Sequence, residues 1–313
     1  MKTNAFFRLM LMLAMAITVT LAGCQKEEDP DPQPPSNTES LQQLSKDDNT
    51  IQAISDENMN DAMTVVSGGN LKSSNMMWPC NATIDSANVI NDTIYYYITY
   101  NGLNCQETFY RTGQVLVKRP VGVAWHQQGA TVIIQQINFT ITRVATGESV
   151  TLNGSHLFTN VSGGHIWMLG YGLTALVHRV EGYMSAVFSD NTTSMWHIAR
   201  QRTLTGTIGE LVLSIDGFGE ADGYDNLVTW GTNRSNEQFY AQINQTVVHT
   251  QVCNADPVSG IIFYDIPAGD KNATITFGYN SNNEPIGPGE CPTRYRLDWN
   301  YNGNSGTFFL PLH

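Results

Sequence analysis

From Trp78 to the C-terminal His313 apolar side chains recur at every second position, and this period governs what the chain can become. Successive side chains on a strand point to opposite faces, so a period of two marks strands with one buried face. Ile94, Tyr96, Ile98 and Tyr100 share a face, with Tyr95 and Tyr97 opposite. Ile133, Ile137, Phe139 and Ile141 alternate with Val132, Ile134, Asn138, Thr140 and Thr142, with a break at Gln135. Phe239, Ala241, Ile243 and Val247 form another set, and Tyr295, Leu297, Trp299 and Tyr301 a further one. Asn101-Gly102, Asn153-Gly154, Asp222-Gly223 and Asn302-Gly303 are turn signals between such runs; Gly154-Ser155-His156 and Ser305-Gly306 also read as turns. The pattern predicts an antiparallel all-β domain over residues 78–313 with ten or more strands. It is a large sheet or sandwich-like body, and the pattern does not choose between sandwich, barrel and open curved sheet.

Upstream the period changes. Ile51, Ile54, Ala62, Met63 and Val66 recur at helical spacing, Asp48 is placed to cap, and Gly68-Gly69 to terminate. One amphipathic helix is expected over residues 47–69, with an apolar stripe that needs a partner surface. Residues 25–40, QKEEDPDPQPPSNTES, are proline-rich and acidic without a large apolar side chain. Such a stretch buries too little to fold, so residues 24–46 are expected to be a disordered tether.

The first 23 residues have the parts of a secretory signal: Lys2 and Arg8, an apolar run from Leu9 to Leu21, then Leu21-Ala22-Gly23-Cys24. The run is shorter than the roughly 20 residues a spanning helix needs. Leu-Ala-Gly-Cys matches the bacterial lipobox, which implies cleavage before Cys24 and acylation of that cysteine. Two or three chains anchor stably where one does not. Gln25 after the cysteine argues against inner-membrane retention, and Lys26-Glu27-Glu28-Asp29 resembles an acidic export tag. The expectation is a palmitate-bearing lipoprotein of the outer membrane, facing the cell exterior.

With Cys24 set aside, Cys80, Cys105, Cys253 and Cys291 remain, an even count that in an exported chain reads as a disulfide framework. Three connectivities exist; Cys80–Cys105 and Cys253–Cys291 are favoured because each closes a loop of hairpin scale. The formal net charge of −12 disfavours nucleic acid and offers no match for anionic lipid. Asp85-Ser86-Ala87 and Asp92-Thr93-Ile94 match a three-residue O-glycosylation motif, which makes Ser86 and Thr93 candidate acceptors.

The chain resembles a family of uncharacterised surface lipoproteins of Bacteroidota-type bacteria. The resemblance rests on Cys80-Asn81-Ala82-Thr83, on Cys105 followed by Arg111-Thr112-Gly113-Gln114-Val115, and on Gly231-Thr232-Asn233-Arg234 leading to Tyr240 and Cys253. It implies a lipobox, an acidic tether, a helix and a β domain bounded by cysteine units, and it brings no reaction with it.

Residues that carry chemistry are sparse. His126, His156, His165, His178, His197 and His249 show no metal-ligand spacing, and His197 and His249 read as strand wall residues. No nucleophile elbow occurs, and no metal or cofactor is expected. Asp216, Glu220, Asp222 and Asp225 crowd the stretch DGFGEADGYDN, which reads as a solvated hairpin loop in preference to a calcium site. Trp125, Trp167, Trp196, Trp230, Tyr95 and Tyr97 are candidates for a ligand platform, against core packing. The leading expectation is a non-enzymatic structural, ligand-binding or glycan-binding module, with a membrane partner through Cys24 and a glycan or surface protein as further partner. The alternatives are a carbohydrate-active enzyme using acids such as Asp216, Asp222 or Asp225, and an envelope assembly or lipid-handling factor.

Overall fold

A computed structural model describes residues 38–68, 79–253 and 256–312, without the side chains of Ser86 and Ala87. The signal segment, Cys24, the Lys26–Asp29 stretch, Gly69 and Trp78 lie outside the described residues.

Helix α1 runs Glu39–Gly68, so residues 39–46, expected in the tether, are helical. Its buried stripe begins at Leu41 and Leu44 and continues through Ile51, Ile54, Met59, Ala62 and Val65. The polar run Lys46-Asp47-Asp48-Asn49 interrupts that stripe in the sequence but not in space. Asp48 is not a cap; it is a fully buried mid-helix acceptor.

The β body is one antiparallel sheet. Its strands are β1 (Ala82–Ile90), β2 (Thr93–Leu103), β3 (Phe109–Pro120), β4 (Ala130–Arg143), β5 (Ser149–Asn160), β6 (Ala175–Phe188) and β7 (Thr193–Thr205). Then come β8 (Val212–Gly217), β9 (Gly219–Ala221), β10 (Tyr224–Thr232), β11 (Gln238–Thr250), β12 (Pro257–Ile266), β13 (Lys271–Tyr279), β14 (Arg294–Tyr301) and β15 (Asn304–Pro311). Neighbours follow chain order from β1 to β7, then β10 to β15, and the path ends at β1 and β15. Asp222-Gly223 and Asn302-Gly303 are turns, as their sequence signals predict. Asn101-Gly102 lies within β2, Asn153-Gly154 and Gly154-Ser155-His156 within β5, and Ser305-Gly306 within β15. Gly154 is required by close approach, not by a turn: a Cβ there would stand 2.3 Å from the carbonyl oxygen of Tyr183. In β4 the phase break falls at a bulge between Gln136 and Phe139, not at Gln135. Val132, Ile134, Phe139 and Ile141 face the core, and Ile133 faces out.

The sheet curls about the helix. Ser45 bonds to Tyr295 on β14, and Asp61 accepts from Tyr100 on β2. Those helix positions stand about 24 Å apart along the axis, whereas β2 and β14 are separated by about 48 Å of flat sheet. Only a curved sheet brings both to one helix. The concave face and α1 bury a single continuous core.

Two strands share one slot. Met195–Ile198 of β7 pairs with β10, while Arg200–Thr205 pairs with β8. The short β9–β10 hairpin grows from this branch, with Gly219 packed against the Trp230 ring on the outer face. The disulfides are Cys80–Cys105 and Cys253–Cys291, with Cα–Cα distances of 5.3 and 5.2 Å. Each joins a position upstream of one strand of a pair to the loop after the other, around β1–β2 and around β12–β13.

Candidate functional site

Antiparallel pairing assigns every connection to one of two ends of the sheet. The β1–β2, β3–β4, β5–β6, β7–β8, β11–β12 and β13–β14 connections share one end, and the β2–β3, β4–β5, β6–β7, β10–β11, β12–β13 and β14–β15 connections share the other, with the β9–β10 hairpin apart from both sets. The first end carries Val121, Ile166, Trp167, Tyr171, Ile208 and Val252 as exposed large apolar side chains. Among the described residues, Val144 is the single large apolar side chain exposed in a connection at the other end. Loops such as Asn233–Glu237 and Pro267–Asp270 make that other end polar. Scattered exposed apolar residues are ordinary; a set collected at one end is not.

The β5–β6 connection, residues 161–174, is the centre of this rim and contains no Asp, Glu, Lys or Arg. It is built, not slack. Asn160, fully buried, donates from Nδ2 to the carbonyls of Trp125 and Gly164 at 2.9 and 3.1 Å, and its Oδ1 accepts from the Gly163 amide. Gly164 in turn donates to the His126 carbonyl at 2.7 Å. Gly163 and Gly164 hold φ of 73° and 91°, a region that side chains disfavour. A one-turn 3₁₀ helix, Ile166–Met168, then turns Leu169 fully inward. The same turn leaves Trp167 60 % exposed and Tyr171 82 % exposed. The Trp167 ring stacks on His165 at 5.6 Å, and His165 meets His126 at 4.9 Å. Partial burial and the neighbouring His126 hold the His165 pKa below its ordinary value.

Adjacent connections extend the rim. Val121 donates its amide to Asp92 in the β1–β2 turn. Gly170 packs against Thr207 of the β7–β8 connection, where Ile208 is exposed. Gln251, next to Val252, accepts from the Gly209 and Leu211 amides at 2.8 and 3.3 Å.

The other candidates are dispersed. Trp196 and Trp125 are buried in the core, and Tyr95 and Tyr97 face outward on β2. Trp230 lies on the outer face with its ring stacked on exposed His197 at 5.3 Å, so these rings cover one another instead of offering a flat platform. In the hairpin stretch, Asp216 accepts from Thr246, Asp222 from Tyr240, and Asp225 from Gln242. Each of these acids is tied to β11, and Glu220 stays at the hairpin surface. Thr93 opens β2 and is half-buried, while the Ser86 side chain lies outside the described residues. Among the described residues no three of His, Cys, Asp and Glu gather as metal ligands, and no helix is long and apolar enough to cross a membrane.

Sequence reasoning missed the inward titratable groups. His156 and His178 are buried in the concave wall, and burial followed by Arg200 and Arg202 respectively pushes them down to about 3 and about 4. Both sit at inward positions of strands whose phase, fixed by the neighbouring apolar residues, is the only sequence signal for them. No family model, curated protein or solved structure matches the chain.

Proposed function

We propose that this chain is an outer-membrane lipoprotein, anchored through acylated Cys24 and exposed at the cell surface, whose β body is a binding module acting through the apolar rim. The carrying observation is the rigidly built 161–174 connection, which holds Ile166, Trp167 and Tyr171 in solvent without a charged neighbour in its own sequence. Exposing apolar side chains on an ordered loop costs solvation free energy, and a partner surface recovers it. Helix α1 starts beside the polar end, where Lys271 donates to Ser40 at 3.3 Å. The aliphatic content of the rim favours a protein partner over a glycan, since sugars need polar groups beside their stacking rings.

Three measurements test this. Labelled palmitate should enter the parent and not Cys24→Ala, and protease added to intact cells should clip the tether. Alanines at Lys26–Asp29 should protect it; equal sensitivity would reduce that stretch to a plain linker. A photo-crosslinking residue at Tyr171 should give a discrete adduct in intact cells, absent with the same probe at Asn302 on the polar end. Equal yields at both positions would remove the rim from the reading.

A further inference from the structure

Below the rim, the concave face of β5–β7 carries more positive charge than the helix opposes. Arg200 and Arg202 project inward from β7 and are buried. The carboxylate facing them is the half-buried Asp56, which pairs with Arg200 and stands 4.0 Å from Nη2 of Arg202. Burial pushes the Asp56 pKa up, but Arg200, Arg202 and His249 outweigh it and leave it lowered. Among the described residues Asp56 is therefore the one carboxylate in ion-pair contact with both guanidiniums, while Asp48 acts on Arg200 from further along the helix.

Arg202 is poorly served. Its Nη1 meets the thioether sulfur of Met59 at 2.7 Å, a weak acceptor, and its Nε has no partner. His178 is its register partner on β6, buried, with both ring nitrogens unpartnered. Nε of Arg200 and Nε2 of His156 are likewise orphaned. A guanidinium does not shed its proton, and an ion taken out of water without full compensation is costly. Nη1 and Nη2 of Arg200 also donate to Gln52 and Ser55 at 3.4 and 3.5 Å, so the unmet donors are chiefly those of Arg202 and the one N–H of the neutral His178 ring; gathered on adjacent strands beside one surplus charge, they mark a place for an anion.

We propose that Arg202, His178 and Arg200 form a binding site for a carboxylate or phosphate anion, closed by Trp125 and Met59. The guanidinium fork of Arg202 matches the planar oxygens of either group. The Trp125 ring lies 5.2 Å from His178 and caps the cluster from the rim side. Met59 is unbranched and adaptable, the kind of side chain that yields to a ligand. Trp125 also neighbours His126, whose ring meets His165 and, through it, Trp167. The site thus lies directly inside the apolar rim, where the tail of an amphiphile has apolar surface available. A free anion and the head group of an amphiphile share the chemistry, and the experiment separates them. The inference does not depend on the lipid anchor or on the rim partner.

The full chain in nonionic detergent is titrated at constant ionic strength with sodium phosphate, sodium acetate and sodium hexanoate, following thermal unfolding against sodium chloride. Phosphate or acetate should raise the midpoint through preferential binding to the folded state. Hexanoate exceeding acetate at equal concentration identifies an amphiphile head group; equality identifies a free-anion site. Arg202→Met should abolish every increment while leaving the chloride midpoint unchanged or higher, because it removes an uncompensated charge. The His178 ring, followed by NMR, should titrate closer to its ordinary pKa when the anion is bound. No anion-dependent increment in the parent, together with a lower midpoint for Arg202→Met, would overturn the proposal and make Arg202 a plain structural ion-pair partner of Asp56.

Discussion

The hydroxyl of Tyr264 donates to the carboxylate of Asp48 across 2.6 Å, joining the last turn of pleat in β12 to the helix at a sequence separation of 216. Thr229 and Gln52 donate to the same carboxylate at 3.1 and 3.0 Å. Burial, partly offset by these bonds and by the charge of Arg200, holds the Asp48 pKa above the ordinary value. The helix is therefore docked by polar contacts as well as by its apolar stripe. Arg111 with Glu57 and Asp61, and Arg234 with Asp47, repeat the device towards its two ends.

Asp48→Ala should destabilise the protein by about 2–4 kcal/mol, because three donors are left without an acceptor in the core. Tyr264→Phe should cost about 1–2 kcal/mol, and the two should couple by more than about 0.5 kcal/mol in a double-mutant cycle read by denaturant unfolding. Additive costs would mean that the pair does not bear on docking.

Each disulfide should contribute about 3–4 kcal/mol, since the closed loops of 25 and 38 residues differ little on a logarithmic scale. Serine pairs at Cys80/Cys105 and at Cys253/Cys291 should lower stability comparably and nearly additively, because the bridges sit at opposite ends of the sheet. Non-reducing peptide mapping should recover only these two pairs among those four cysteines.

Acid should destabilise the fold from about pH 6.5 downward. His156 and His178 titrate near 3 and 4 when folded and near 6.5 when unfolded, so the unfolded chain binds more protons in between. Their stabilisation is complete above pH 6.5 and is lost as pH falls towards the folded values, several kcal/mol in all at about 1.4 kcal/mol per unit. Asp47, Asp48, Glu57 and Asp61 are raised, chiefly by burial, and act with the opposite sign, losing stability as pH rises from about 4. The difference in midpoint between the parent and His178→Gln isolates the histidine contribution; it should grow with pH between 4 and 6.5 and be flat above.

Substitutions in the rim should separate display from stability. Trp167→Ser and Tyr171→Ser should each change unfolding by less than about 0.5 kcal/mol, as exposed positions do, and Trp167→Ser should remove the adduct given by the probe at position 171. Leu169→Ala, inside the same connection and fully buried, should cost about 2–4 kcal/mol. A large stability loss from Tyr171→Ser would show that the rim packs on this chain itself.

The sequence alone was enough to establish the class of the fold. Alternation at Ile94–Tyr100 and at Tyr295–Tyr301 needs only the geometry of an extended chain and one buried face, so strands and their core side chains were legible. The Asp222-Gly223 and Asn302-Gly303 turns were legible for the same local reason. Asn101-Gly102 and Asn153-Gly154 carry the same signal and are strand, because close neighbouring backbone, as at Gly154, demands a glycine where no turn exists.

What the tertiary structure decided lies beyond the reach of neighbouring residues. The helix runs on to Glu39 past Asp47 and Asp48, which Arg234, Thr229 and Tyr264, far along the chain, satisfy; without those partners, Asp48 reads as the cap that starts the helix. The rim exists because antiparallel order brings Ile166, Trp167 and Tyr171 of one connection to the same end of the sheet as Ile208 and Val252 of two others, which are far apart along the chain. The surplus charge at Arg202 becomes visible only when β6, β7 and α1 are curled together, since a side chain's solvation is a property of everything that surrounds it and not of its place in the sequence.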